Sequence, residues 1–315
     1  MTEKEHKAIF VFTKESPLRL KLCLTQLDSN NFDIFVVDDS YSRSTVCLNR
    51  KIIGDVKNVT YLGIEENLEF YLKYNSKAIL KSRIGSKKWN LGNARNFATD
   101  FAITNRCEKI LFLDNDILFK NSVDVEDGFR ILNDCNFVSY KITGMVDDSI
   151  VGHIANRFKY FNSEIRMLSG GVFYLKPDFL NYRFTNIYNE DWIIQLLEFE
   201  KERVLYATEV VQKPYDPFLN YKEKVLFQEY GEIFVKGLIE VYRKDLNEAF
   251  SLDFWKRILV ERIYYLRELT QIASELKEEE FISILIWLKK NYNLYNEKYF
   301  YTLMHKIIQQ KYIKT

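Results

Sequence analysis

The chain has 315 residues, of which 45 are basic and 44 acidic, and 47% are hydrophobic with 16% aromatic. This balance excludes intrinsic disorder and leaves no global electrostatic case for nucleic-acid binding. Cys23, Cys47, Cys107 and Cys135 are widely spaced and show no Cys-x-x-Cys pair, which argues against zinc or a disulfide framework and fits a reducing cytosol. The polar start, Met1 to Lys7, does not read as a signal peptide. No apolar run approaches the roughly 20 residues that span a bilayer, and Phe281 to Leu288 is too short. A soluble, cytoplasmic protein is expected, built as one large domain or a domain with an appendage.

In chain order, the continuous apolar run Ala8 to Phe12 predicts a buried strand. Ser16-Pro17 predicts a helix start, with Ser as N-cap and Pro at the first helical position, and the helix runs to about Leu27. Phe32 to Val37 predicts a second strand ending in Asp38-Asp39-Ser40, and Val59 to Leu62 a third. A helix from Asn90 to about Thr104 delivers the chain to a fourth, within Ile110-Leu-Phe-Leu-Asp-Asn-Asp-Ile-Leu118. Such alternation predicts an α/β fold whose parallel strands are joined by right-handed crossovers. Ligands of these sheets bind beyond the C-terminal strand ends. Asp38-Asp39 and Asp114 with Asp116 both fall at such ends and converge on one edge.

Past Lys120 the expected strands are Phe137 to Thr143, Val172 to Leu175 and Val204 to Thr208, with a helix near Trp192 and a turn at Pro214 to Pro217. After about Tyr221 there is no proline, and Gly231 and Gly237 are the only glycines. Phe254, Ile258, Ile263, Leu266, Leu269, Ile272 and Leu276 recur at roughly helical spacing, and two shorter helices follow. The division expected is residues 1–221 as the α/β domain and 222–315 as a helical C-terminal region.

Buried carboxylates cost several kcal/mol unless paired or bound to a cation. Mg²⁺ or Mn²⁺ carrying a diphosphate suits Asp114 and Asp116, because these ions take one or two carboxylates plus phosphate oxygens and water. The plain alternative is a turn capped by both residues. Arg95, near a helix N-terminus, suits a diphosphate or the acidic cluster that holds its metal; otherwise it pairs with Asp100 or Glu108 on the surface. Gly92 fits a close backbone approach or a simple turn. Glu190-Asp191 fits helix N-terminal capping, which the dipole favours.

Val36-Val-Asp-Asp-Ser40, Gly92-Asn-Ala-Arg-Asn96, Leu113-Asp-Asn-Asp116, Ser169-Gly-Gly171 and Asn189-Glu-Asp-Trp192 occur in the order seen in glycosyltransferases of the GT-A fold. The chain most resembles the large family-2 group of nucleotide-sugar transferases, over about residues 8 to 215 and not over the helical region. The resemblance implies a GT-A, Rossmann-like mixed and mostly parallel sheet flanked by helices. It implies a UDP-sugar donor and Mn²⁺ or Mg²⁺, with Asp116 the direct metal ligand and Asp114 bound to ribose or, through water, to the metal. Thr13, Asp38, Asp39, Gly92, Asn93, Arg95 and Asn115 would line the donor site. In inverting members an acidic pair at the position of Glu190-Asp191 supplies the general base, here Asp191 with Glu190 as the alternative. Gly170, Gly171 and Trp192 would face the acceptor, although Trp192 suits a core position equally. Many metal-dependent members add a histidine ligand, whereas this chain reads Val210-Val-Gln-Lys-Pro214. Gln212 or Lys213 then substitutes, or the metal has fewer protein ligands; His153 reads as structural or acceptor-facing.

The acceptor class stays open among a glycan, a lipid-linked sugar, a small molecule and a peptide. A sugar-phosphate nucleotidyltransferase is the rival enzyme, but that class opens on a glycine-rich loop where this chain has Thr13-Lys-Glu-Ser16. A non-catalytic nucleotide-sugar or glycan-binding module is the other rival. The helical region is expected to bind acceptor, to form a homodimer through the Phe254 to Leu276 face, or to touch an anionic membrane surface through the segment from Lys298-Tyr-Phe-Tyr301 to Lys314.

Overall fold

Four apolar runs build the centre of the fold: β1 (Lys7–Thr13), β2 (Asp33–Asp38), β3 (Val59–Gly63) and β4 (Lys109–Asp114). They pair in parallel, and the central strands β1 and β4 are buried along nearly their whole length, as strands covered on both faces must be. The computed structural model describes residues 5–27, 31–63, 66, 91–120, 123–144, 148–160, 169–198, 204–242 and 244–309.

The eight strands lie in the order β3-β2-β1-β4-β7-β6-β8-β5. Here β5 is Ile117–Leu118, β6 Phe137–Gly144, β7 Val172–Leu175 and β8 Val204–Gln212. This is a mixed α/β sheet flanked by helices, as the sequence resemblance implies. Two antiparallel pairings decide where the site lies. β7 runs against β4 with Val172 opposite Leu113, so Gly170-Gly171 arrives beside the C-terminal end of β4. β5 runs against β8 with Ile117 opposite Gln212, so Gln212 arrives beside Asp116.

Helices α1 (Pro17–Thr25), α2 (Arg43–Gly54), α3 (Leu91–Thr104), α4 (Val123–Ile131), α5 (Ile150–Arg157) and α6 (Glu190–Glu198) accompany the sheet. Pro17 opens α1 as expected, but Ser16 makes no side-chain cap. The pattern did not reveal α2, whose start is held by a residue outside it: Glu15 accepts hydrogen bonds from the Tyr41 and Ser42 amides and from the Thr45 hydroxyl. Ser42 caps the helix locally by accepting the Thr45 amide, and Glu15 fastens the same turn from 26 to 30 positions away. Nor did the pattern reveal α4, α5 and the two-residue β5, which are short elements shaped by tertiary contacts.

The C-terminal region consists of α7 (Tyr221–Tyr242), α8 (Leu252–Glu275), α9 (Glu279–Lys290) and α10 (Glu297–Gln309). Its first helix begins at Tyr221, and the hydrophobic core continues across that point. Ile150 and Ile154 of α5 and Ile193 and Leu196 of α6 share one cluster with Tyr230, Phe234, Trp255 and Leu266. Phe234 and Phe300 each stack on Trp255, at 5.3 and 5.4 Å between ring centroids. A Cβ at Gly231 would stand 2.2 Å from the Tyr188 carbonyl oxygen, so α7 crosses the backbone just before α6 at a distance only glycine permits.

Two expectations for this region change. Of the face offered to a second copy, Phe254, Ile258, Leu266 and Leu269 are buried within the chain's own helical core, whereas Leu276 is exposed. Phe300, expected among aromatics facing lipid, is fully buried; Lys311 and Lys314 lie outside the described residues. Among the described residues, no helix is long and apolar enough to cross a membrane.

A chain ending at Asn220 should therefore lose cooperative thermal unfolding. Covering a large aliphatic side chain contributes about 1.5–3 kcal/mol, and Ile150, Ile154, Ile193 and Leu196 lose cover together, against a total margin of roughly 5–15 kcal/mol. A sharp transition in the truncated chain would show that the helices are dispensable to the fold.

Candidate active site

Arg95 is the centre of the site. Helix α3 is buried at every position from Gly92 to Thr99, because its first turns pass under the segment leading to α6. Gly92 makes that passage: a Cβ there would meet the Thr185 carbonyl oxygen at 1.9 Å. Asn93 is buried beside it, and Asn96 exchanges hydrogen bonds with the Phe184 backbone, giving 2.8 Å and receiving 2.9 Å.

From this anchored turn the Arg95 guanidinium donates to Glu190 Oε1 at 2.7 Å and to the Gly170 carbonyl at 2.9 Å. The rings of Phe12 and Phe184 flank it at 6.0 and 5.8 Å. Neither surface partner considered from the sequence holds Arg95; Asp100 pairs with Arg183 instead. The Gly170 amide donates to Asp191 Oδ2 at 2.8 Å. A Cβ at Gly170 would lie 2.6 Å from Asp191 Oδ2 and 2.8 Å from Arg95 Nη1. One residue without a side chain thus bridges the cation and the acid pair.

Arg95 and Glu190 are almost wholly removed from water, with side-chain exposures of 2% and 3%. Burial pushes the Glu190 carboxyl up to about 8; Arg95 opposes that shift, while Asp191 and Asp114 add to it. Burial likewise raises Asp191, against the Arg95 charge and the amides of Gly170 and Trp192. One guanidinium therefore faces two carboxylates, and the pair binds a proton more readily than isolated acids do. Trp192 is half-buried against the helical core.

The second acidic cluster joins this one through the β4–β7 ladder. The Asp114 amide donates to the Gly171 carbonyl at 2.8 Å, one residue from the Gly170 bridge. Asn115 donates to the Thr13 hydroxyl at 2.7 Å, tying the turn to the end of β1. Asp116 receives Arg19 Nη1 at 3.5 Å and Gln212 Nε2 at 3.4 Å, and its carbonyl accepts the Lys213 amide at 3.0 Å. Burial raises its carboxyl, against the Gln212 hydrogen bond and the charges of Arg19 and Lys213.

Among the described residues no three His, Cys, Asp or Glu side chains form a metal-binding group. The donor set nonetheless fits a hard divalent cation. Asp116 is a buried carboxylate whose side-chain donors stand at the long limit of hydrogen bonding. Gln212 Oε1 beside it is buried and has no partner, and carboxylate and amide oxygens are what Mg²⁺ and Mn²⁺ accept. The position where relatives were expected to place histidine thus brings an amide to Asp116. His153 stands elsewhere, beside Tyr215 at 3.4 Å.

At the end of β2 the two neighbours differ. Asp38 accepts from the Ser40 amide, Asn49 Nδ2 and the Tyr61 hydroxyl, each at 2.9 Å, so both its oxygens hold β2, α2 and β3 together. Asp39 is bonded by Lys14 Nζ at 2.6 Å and keeps part of its surface open, with its amide on the Thr13 carbonyl at 3.0 Å. Sequence reading missed Arg19, which no motif marks, and the network behind Asn189, whose only sequence signal is an asparagine directly before the acid pair.

No protein-family model and no curated protein matches the chain. Among solved structures it is similar to the glucosyl-3-phosphoglycerate synthase of Mycobacterium tuberculosis in complex with Mn²⁺, UDP and phosphoglyceric acid: 10% identity and a TM-score of 0.49 over 76% of this chain and 79% of that one. It is also similar to a mannosyltransferase from Pyrobaculum calidifontis in complex with GDP-Man and Mn²⁺: 12% identity and a TM-score of 0.48 over 98% of this chain and 88% of that one. The likeness is one of fold, and it assigns no role to any residue here.

Because Glu190 is raised from 4.5 to about 8 by folding, the folded chain holds a proton that the unfolded chain has released between those values. Stability should fall as pH rises through that window, by at most about 1.4 kcal/mol per pH unit for one group. Glu190→Gln should flatten the decline in melting temperature from pH 5 to 8. An unchanged slope would mean that Glu190 is ionised throughout.

Proposed function

We propose that the chain is a metal-dependent glycosyltransferase that moves a sugar from a UDP-sugar to an acceptor hydroxyl with inversion. The observation that carries this reading is the joining of two acidic clusters through Gly170-Gly171, with one buried guanidinium between a carboxylate pair and the end of β4.

Asp191 suits the general base better than Glu190. Glu190 is enclosed and ion-paired to Arg95, whereas Asp191 is partly exposed and oriented by the Gly170 amide. In the reaction Asp191 takes the proton of the acceptor hydroxyl. The acceptor oxygen forms its bond to the anomeric carbon from the face opposite the diphosphate. The bond from that carbon to the diphosphate oxygen breaks, and its electron pair leaves with the nucleoside diphosphate. A raised pKa makes Asp191 a stronger base than a free carboxylate. Asp114, Asp116 and Gln212 would hold Mg²⁺ or Mn²⁺, which supplies positive charge to the departing diphosphate. Arg19 and Lys213 add charge of the same sign at Asp116. On this reading Asp39 and Thr13 would meet the nucleoside, and Asp38 would act by holding that edge in shape.

Asp191→Asn preserves size and should leave donor affinity within about twofold while lowering kcat by roughly 10²-fold or more. A near-normal kcat would move the base elsewhere. Asp116→Ala should keep the fold yet abolish the Mn²⁺-dependent part of UDP-sugar binding, read by calorimetry with and without metal. Undiminished affinity with metal present would sink the metal assignment.

A further inference from the structure

We infer that Asn189, Glu232 and Arg262 form a positioning network through which the helical region sets the orientation of the Glu190–Asp191 pair; this rests on the proposed role of that pair. Asn189 begins α6, its carbonyl accepting the Ile193 amide at 3.0 Å. Its side-chain amide donates outward to Glu232 of α7 at 2.9 Å. Arg262 of α8 lies 4.0 Å from Glu232 and grips Glu229 with two bonds of 2.8 Å. Glu232 thus links the start of α6 to α8.

Core packing alone does not call for this arrangement. Glu229 and Arg262, buried among apolar residues, cost more than hydrophobic side chains of similar volume, so their presence is weak evidence for stability. Asn189 also sits at φ 64°, in the left-handed region where glycine is the relaxed choice. Glycine would satisfy the backbone but could not reach Glu232. The next residue along the chain is Glu190, so the direction of that side chain bond fixes how the first turn of α6 presents its acids to Arg95 and Gly170. Gly231, pressed against the Tyr188 carbonyl one residue from Glu232, holds α7 close enough for the bond to form.

The test compares Asn189→Gly, which keeps the backbone conformation and removes the bond, with Glu232→Ala and Glu232→Gln, the last retaining an acceptor oxygen for Asn189. Carboxyl ¹³C resonances of Glu190 and Asp191 in the full chain read position without any substrate. Asn189→Gly and Glu232→Ala should shift those resonances and their titration midpoints, and lower kcat roughly tenfold or more with donor KM little changed, the scale expected for a small misplacement. Glu232→Gln should restore most of both. Resonances and midpoints that stay at wild-type values in a cooperatively folded Asn189→Gly chain would overturn the network. If they move while wild-type protein releases no nucleoside diphosphate from any sugar nucleotide, the network stands and the transferase reading fails.

Discussion

A buried guanidinium facing two carboxylates is the constraint on which the rest of the site depends. Arg95 is held from behind by α3, whose first turns are fixed by the Gly92 approach to Thr185 and the Asn96 bonds to Phe184. In front, it draws Glu190 and the Gly170 carbonyl to one point. Without that cation, Glu190 could not be buried beside a second acid except at a cost of several kcal/mol. Without the acids, the cation would be equally costly. Each half is tolerable only because the other is in place, so α3, the Gly170-Gly171 segment and α6 must dock together.

The helical region belongs to this arrangement. Its apolar face is covered by its own helices and by α5 and α6, so the acid-bearing helix is packed on one side by the sheet and on the other by the C-terminal core. Fold stability and site geometry therefore share residues.

Much of the site was legible in the sequence because its chemistry is concentrated at strand ends. Asp114 and Asp116 close an apolar run, Gly170-Gly171 precedes another, and Glu190-Asp191 opens a helix, so type and place could be read together. The sequence marks Arg95 as a candidate for a diphosphate or an acidic cluster but not its partner Glu190, since a contact across 95 positions leaves no local trace. Asp38 and Asp39 look identical in sequence; only the arrival of Asn49 and Tyr61 separates a structural carboxylate from an open one. The face of α8 showed the correct spacing, yet spacing says that a face is covered and not by what.

The central claim is that this acid–arginine site transfers sugar from a nucleotide donor. The most direct measurement is ³¹P NMR of the chain incubated with Mg²⁺, UDP-sugars or GDP-mannose, and a mixture of hydroxyl acceptors. The account predicts nucleoside diphosphate appearing only with the divalent ion, together with a sugar product of inverted anomeric configuration. Pyrophosphate as the phosphorus product, retained configuration, or turnover undiminished by chelation would contradict it.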